Sequence, residues 1–186
     1  DKYIGKEITN DNMWILKKMG SATAASGAVG LYHVENLTPD AQQKGRKLLL
    51  KGYQTYVYDD AEQARVLANF PVESEGRPEK PTLCVIGCPH NTYHEILTWG
   101  KNVTEAVEKR GLDTAAIPTL LLCPNVVRDH LVEEEPVLVG AMNRAGMKFS
   151  NMCSLSYVGM KGFSEKMFAV TNSPKTRNYY PFVRYL

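Results

Sequence analysis

Cys88 stands where an apolar run of strand length, Leu83-Cys84-Val85-Ile86, breaks into the turn Gly87-Cys88-Pro89-His90. Asn91 is placed to cap a helix that begins Thr92-Tyr93-His94-Glu95. A thiol is thus set at the carboxyl end of a strand and beside the amino end of a helix. Unpaired N–H groups and partial positive charge there favour the thiolate and suit it to hold a metal. In an open α/β sheet, ligands bind in that crevice. Three more residues fall in the same setting: Cys123, Cys153 and Ser173 each follow a stretch of strand pattern. Cys84 differs. It lies mid-strand between Leu83 and Val85 and reads as an inert core thiol.

Thiols converging on one edge serve a metal or cluster site, a nucleophile, or packing alone. No C-x-x-C occurs, so the spacing of a zinc knuckle is absent. A Cys88–His90 nucleophile lacks a partner base from a separate helix. Widely spaced cysteines at strand ends are compatible with a cluster in a domain cleft. On pattern alone, small apolar thiols packed under loops are the stronger reading.

The elements that position these residues follow a regular rhythm after Pro81. Strands are predicted over 82–86, 117–122, 147–152 and 167–171. A helix to about Arg110 is ended by Gly111, and another over 126–144 is interrupted at Pro136. Strands alternating with helices imply a parallel α/β sheet, Rossmann-like, with right-handed crossovers. Cys88, Cys123, Cys153 and Ser173 then emerge along one carboxyl edge.

The first part of the chain is less regular. Asn10 or Asp11 can cap a helix to about Ser26, whose second half, Gly20 to Gly27, is almost wholly small residues. Small residues admit a close helix contact or a ligand. Stretch 28–34 reads as a short buried strand, with His33 at its end, and 54–58 alternates with the period of a strand. Polar helices are expected over 40–50 and from Asp59 or Asp60, with Asp59 and Glu62 in capping-box spacing. The loop Pro71 to Lys80, with two prolines and five charges, divides an N-terminal α/β segment (1–70) from a Rossmann-like subdomain (81–186).

Composition narrows the function classes. The chain has 186 residues, 44% hydrophobic and 23% charged, with a net charge of +2. This balance argues against a nucleic-acid or membrane surface. No apolar stretch approaches the roughly 18 residues that span a bilayer. Four scattered cysteines and no opening secretory signal point to a reducing cytoplasm. Beginning at Asp1 without a methionine, the chain reads as a piece of a longer protein.

Four blocks carry a resemblance. Ser26-Gly27-Ala28-Val29-Gly30-Leu31-Tyr32-His33-Val34, then Leu37-Thr38-Pro39-Asp40-Ala41, resembles the S-G-A-V-A-L-F/Y-H-V-x-G-x-T-P-E-A stretch of the aconitase X family. Val85-Ile86-Gly87-Cys88-Pro89-His90 with Glu95-Ile96 resembles its L-G-C-P-H-x-S-x-E-E-L segment. Asn151-Met152-Cys153 stands where that family has D-T-C. Ala169-Val170-Thr171-Asn172-Ser173-Pro174-Lys175, followed by Tyr179-Tyr180, resembles A-T-N-S-x-K-x-x-Y-Y. The blocks keep the family order and cover nearly the whole chain.

The resemblance implies a hydro-lyase acting on a small anionic hydroxy acid, as phosphomevalonate and hydroxyproline dehydratases do, with an aconitase-type domain. It implies an iron–sulfur cluster on three cysteines, with Cys88 and Cys153 as two ligands and the third upstream of this chain. Ser173 and Lys175 are implied for catalysis, and Ser26, Gly27, His33, His90 and Asn172 for substrate binding. Partners would be the upstream part of the large subunit and a small swivelling domain or subunit, so the isolated piece is expected to be inactive. Asn151-Met152 in place of Asp-Thr, and Pro174 in place of a common glycine, are departures that bear on the substrate. The competing function is a Rossmann-like small-molecule-binding module without cluster chemistry. The glycine-rich dinucleotide fingerprint follows no predicted strand, which weakens it.

Overall fold

The computed structural model describes residues 5–10, 12–69, 76–160, 164–180 and 183–185. At its centre is a parallel sheet of five strands in the order β3-β2-β1-β4-β5. They are β1 (Leu83–Ile86), β2 (Thr119–Leu122), β3 (Met147–Ser150), β4 (Ala169–Thr171) and β5 (Arg184–Tyr185). All four pairings are parallel, with Cys84 opposite Thr119 on one side and Val170 on the other. The four strands predicted after Pro81 are therefore present as one parallel sheet, and β5 joins beside β4.

Parallel strands bury both faces, and in β1 and β2 Val85 and Leu122 on one face and Ile86 and Leu121 on the other are all at 1% exposure or less. Cys84 and Ile86 of β1, Leu121 of β2 and Met147 of β3 enter a core with Ile96, Leu131 and Met142. These last three come from α4 (Tyr93–Lys109), α5 (Asn125–Glu134) and α6 (Pro136–Arg144), which cover one face. Pro136 divides α5 from α6, as its missing N–H dictates. Helix α4 packs on α6 through Gly100, where an added Cβ would lie 2.7 Å from Met142 Sδ. Met167, Ala169 and Val183 form a second, smaller core.

Helix α4 starts one residue later than the sequence suggests. Its cap is Thr92, whose hydroxyl accepts from Glu95 N–H while the Glu95 carboxylate accepts from Thr92 N–H. Asn91, expected to cap, is instead buried and donates its amide to Ile86 O and Leu122 O, each at 3.0 Å. Those carbonyls lie at the ends of neighbouring strands and need donors, and a cap position could not reach them.

Before the sheet come α1 (Met13–Gly27), α2 (Pro39–Lys44), a 3-10 turn (Gly45–Leu48) and α3 (Asp60–Ala68). The Asp59 side chain caps α3 by accepting from Glu62 N–H. The proposed cap Asp11 and residues 71–75 of the charged loop lie outside the described residues. Two sequence expectations fail here. Stretches 28–34 and 54–58 are not strands, and 54–58 is exposed throughout. A strand is made by its ladder partner, and among the described residues none lies beside either stretch. The small-residue half of α1 has a packing explanation: a Cβ at Gly20 would stand 3.0 Å from Tyr32 Cε1, and the Tyr32 hydroxyl donates to Leu16 O at 2.7 Å.

Candidate active site at the carboxyl edge of the sheet

The turn from β1 to α4 carries Cys88, and the turn after β3 carries Cys153 at the start of α7 (Ser154–Val158). The turn from β4 carries Asn172 and Ser173, which caps α8 (Pro174–Tyr179) by accepting from Thr176 N–H at 3.0 Å. Cys123 follows β2, and its N–H donates to Ser150 O at 2.9 Å. All four residues stand on the carboxyl edge of one sheet, as the alternation of strands and helices requires.

Hydrogen bonds join these turns. The Ser173 hydroxyl donates to Cys88 O at 2.6 Å, and Asn172 Oδ1 accepts from Gly87 N–H at 3.2 Å. Gly87 has φ +108°, and a Cβ there would stand 2.7 Å from Leu122 O, so only glycine makes this turn. His90 Nε2 lies 3.2 Å from Met152 O, which ties the Cys88 turn to the Cys153 turn directly. The hydroxyls of Ser154 and Thr176 lie 2.9 Å apart, which ties the Cys153 turn to α8. Helix α1 is fixed to the same edge, because Lys17 Nζ donates to His90 O at 2.8 Å and pairs with Glu95.

The thiols differ in environment. Cys84 is buried in β1, and loss of solvation pushes its pKa up to about 11, although Thr119 offers a hydrogen bond. Burial also pushes Cys123 up, partly offset by Arg128. Cys88 is buried beneath its turn, whereas Cys153 is exposed. Lying on the rim does not expose Cys88: Ser173 and Asn172 bond its turn to the turn after β4. Ser173 is fully buried and its hydroxyl is engaged both as donor and as acceptor, while Lys175 in the first turn of α8 is partly exposed.

His90, Asn172, Ser173 and Lys175 are brought to this edge. Ser26 and Gly27 end α1, which packs against α8, the helix capped by Ser173. Ser26 is exposed and donates to Ala22 O at 2.9 Å. His33 is exposed and lines a separate hollow of about 130 Å³ with Glu35, Ala41 and Arg46. Sequence reasoning missed Lys17, Asn91 and the Ser154–Thr176 pair. Asn91 was visible as a polar residue at a strand end, but the others carry no local signal.

Among the described residues, no group of three or more His, Cys, Asp or Glu side chains can hold a metal ion. Cys88 and Cys153 put two thiols on this edge, one buried and one exposed.

A parallel α/β sheet with cysteine-bearing turns along its carboxyl edge defines the class. No family model matches the chain. Its fold is that of the holo form of Thermococcus kodakaraensis aconitase X: the TM-score is 0.66 over 93% of this chain and 41% of that one, at 22% identity. Among curated proteins it is similar to the phosphomevalonate dehydratase large subunit of Methanosarcina mazei, 26% identical over 168 residues, 89% of this chain and 36% of that protein. It is also similar, over a shorter stretch, to the phosphomevalonate dehydratase large subunit of Methanocaldococcus jannaschii, 32% identical over 108 residues, 56% of this chain and 23% of that protein. The chain is related to the aconitase X family, and its curated relatives are dehydratases, that is, hydro-lyases. It spans about a third or less of their length. No helix among the described residues is long and apolar enough to cross a membrane.

Proposed function

We propose that this chain supplies one wall of the active site of an iron–sulfur-dependent hydro-lyase acting on a small anionic hydroxy acid. One observation carries the reading: the Cys88 and Cys153 turns lie on the same sheet edge and are bonded to each other through His90 and Met152. Cys88 and Cys153 would hold the cluster through their thiolates. When bound, a cluster with three thiolate ligands offers an iron with one open position, a Lewis acid toward a substrate hydroxyl.

The chain's own residues orient and bind. Lys175 brings positive charge to the rim for a carboxylate or phosphate. Asn172 and Ser173 set the Cys88 turn, and Ser173 reaches a substrate by releasing the Cys88 carbonyl. His90 holds the two cysteine turns together through Met152 O. The rest of an aconitase X-type large subunit brings the third thiolate and covers the exposed residues 49–58, and a swivelling domain or subunit closes over the edge and excludes water. By itself the chain is inactive.

Anaerobic incubation with ferrous iron and sulfide, followed by desalting and iron analysis, tests this. The 186-residue chain alone is expected to lose the cluster, and a longer polypeptide that supplies the third thiolate to keep it. In that polypeptide Cys88→Ser or Cys153→Ser abolishes retention. Retention by the chain alone would overturn the two-ligand assignment and point to Cys123. Retention by both variants would overturn the cluster reading.

A further inference from the structure

The chain leaving β3 meets a geometric problem. In the order β3-β2-β1-β4, the strand before Cys153 lies two places from the strand before Cys88. At the ordinary strand spacing that is roughly 10 Å of sheet. The Cys153 turn nevertheless reaches the Cys88 turn, where Met152 O lies 3.2 Å from His90 Nε2. Helix α7, which follows it, has only five residues, too few to hold a position alone. One of its ties, Tyr157 OH to Ser150 Oγ at 2.5 Å, leads back to β3 and so toward the far strand. The buried tie leads the other way: Ser154 Oγ lies 2.9 Å from Thr176 Oγ1, in the helix after β4, the neighbour of β1.

We propose that the Ser154–Thr176 hydroxyl pair is a positioning latch that holds Cys153 against Cys88, so that both thiols face one metal centre. The proposal rests on the reading of Cys88 and Cys153 as ligands of a common site. Both residues are buried, at 1% and 0% exposure. Buried hydroxyls are costly unless each satisfies the other, and an apolar pair would pack as well. Neither is used locally: α8 is capped by Ser173, and the first-turn hydroxyl of α7 caps nothing. From Thr176 the path continues through its N–H to Ser173 Oγ at 3.0 Å, and from that hydroxyl to Cys88 O at 2.6 Å. Three hydrogen bonds therefore run from the residue beside Cys153 to the backbone of Cys88.

Phenylarsine oxide tests the latch without iron, because one arsenic takes two neighbouring thiols and releases one water. In the 186-residue chain it is expected to consume two thiols per arsenic, and Cys88→Ser or Cys153→Ser abolishes this. Thr176→Val, which keeps the volume and the backbone N–H, weakens the uptake at least tenfold. Ser154→Ala does the same, and Thr176→Ser restores it. Continued protection of Cys84 from alkylation shows that each variant is folded, and Ser154→Ala serves if Thr176→Val is not. A wild-type chain that binds arsenic through one thiol overturns the shared site and the latch with it. Two-thiol uptake that is unchanged in both folded variants, with only a lower melting temperature, overturns the latch and leaves the shared site standing.

Discussion

Residues 83–185 and residues 5–69 contain similar apolar material and treat it in opposite ways. In the sheet region Ile86, Ile96, Leu121, Leu122 and Leu131 are all at 1% exposure or less. In the earlier region Leu31, Leu50, Tyr56 and Val57 stand at 75%, 82%, 72% and 71%, and Leu16, Leu37 and Ala41 are the buried apolar residues described there. Both regions contain stretches rich in β-branched and aromatic residues. The difference is a neighbouring strand: β1 lies between β2 and β4, and 54–58 has no ladder partner among the described residues. Strand propensity is a statement about a pleated, half-buried surface, and it has no effect until another strand supplies that surface.

The largest expected contrast is in amide exchange. Backbone N–H groups of β1 exchange only through opening of the sheet, whereas those of 54–58 exchange almost freely. Protection factors should differ by at least about 10³ in this chain. If 54–58 is as protected as β1 at low protein concentration, the contrast is broken. If it becomes protected only in a longer polypeptide, the contrast is sharpened into a missing partner.

Point substitutions should follow the same divide. Ile96→Ala removes a buried side chain from between α4 and the sheet and should cost about 2–5 kcal/mol in urea unfolding. Leu50→Ala should stay within about 0.5 kcal/mol. Equal costs would mean that the early region is packed in solution.

Thiol chemistry separates the rim from the sheet. With its pKa at about 11, Cys84 has about one thiolate in a thousand at pH 8 and is also shielded by burial. Iodoacetamide should modify exposed Cys153 first and Cys84 last, as read by peptide mapping. Modification of Cys84 ahead of Cys153 would show that the strand is open.

The smallest effect lies in the early region. Hydrogen bonds from Arg65, at 2.6 Å, and from Tyr56 hold the Glu62 carboxyl at about 2, below its ordinary 4.5. A depressed carboxyl contributes fully above its unfolded pKa and loses that contribution as pH falls through about 2. The Tyr56 ring signals should therefore report release from α3 as pH falls from 4.5 toward 2. Glu62→Gln should flatten that change, and an unaltered profile in the variant would rule the contact out.

How much was legible follows from where the determining forces act. The parallel sheet, the break at Pro136, the glycine end of α4 and the placement of Cys88, Cys123, Cys153 and Ser173 on one edge were readable. Each rests on periodicity or on the backbone limits of one residue type, and these act within a few positions. That Cys84 is buried within the sheet was readable for the same reason.

Tertiary structure decided the rest. Stretches 28–34 and 54–58 carry a strand pattern, but pairing is a property of two segments, and the second is not among the described residues. The helix cap passed from Asn91 to Thr92 because two strand-end carbonyls, one of them more than thirty residues distant in sequence, required the Asn91 amide. Cys88 became buried because Ser173 and Asn172, from a strand far along the chain, draw its turn down. Ser154 and Thr176 meet only because β3 and β4 lie in one sheet with β2 and β1 between them. Local sequence determines which groups a segment offers, and the packing of distant segments determines which of those offers are taken up.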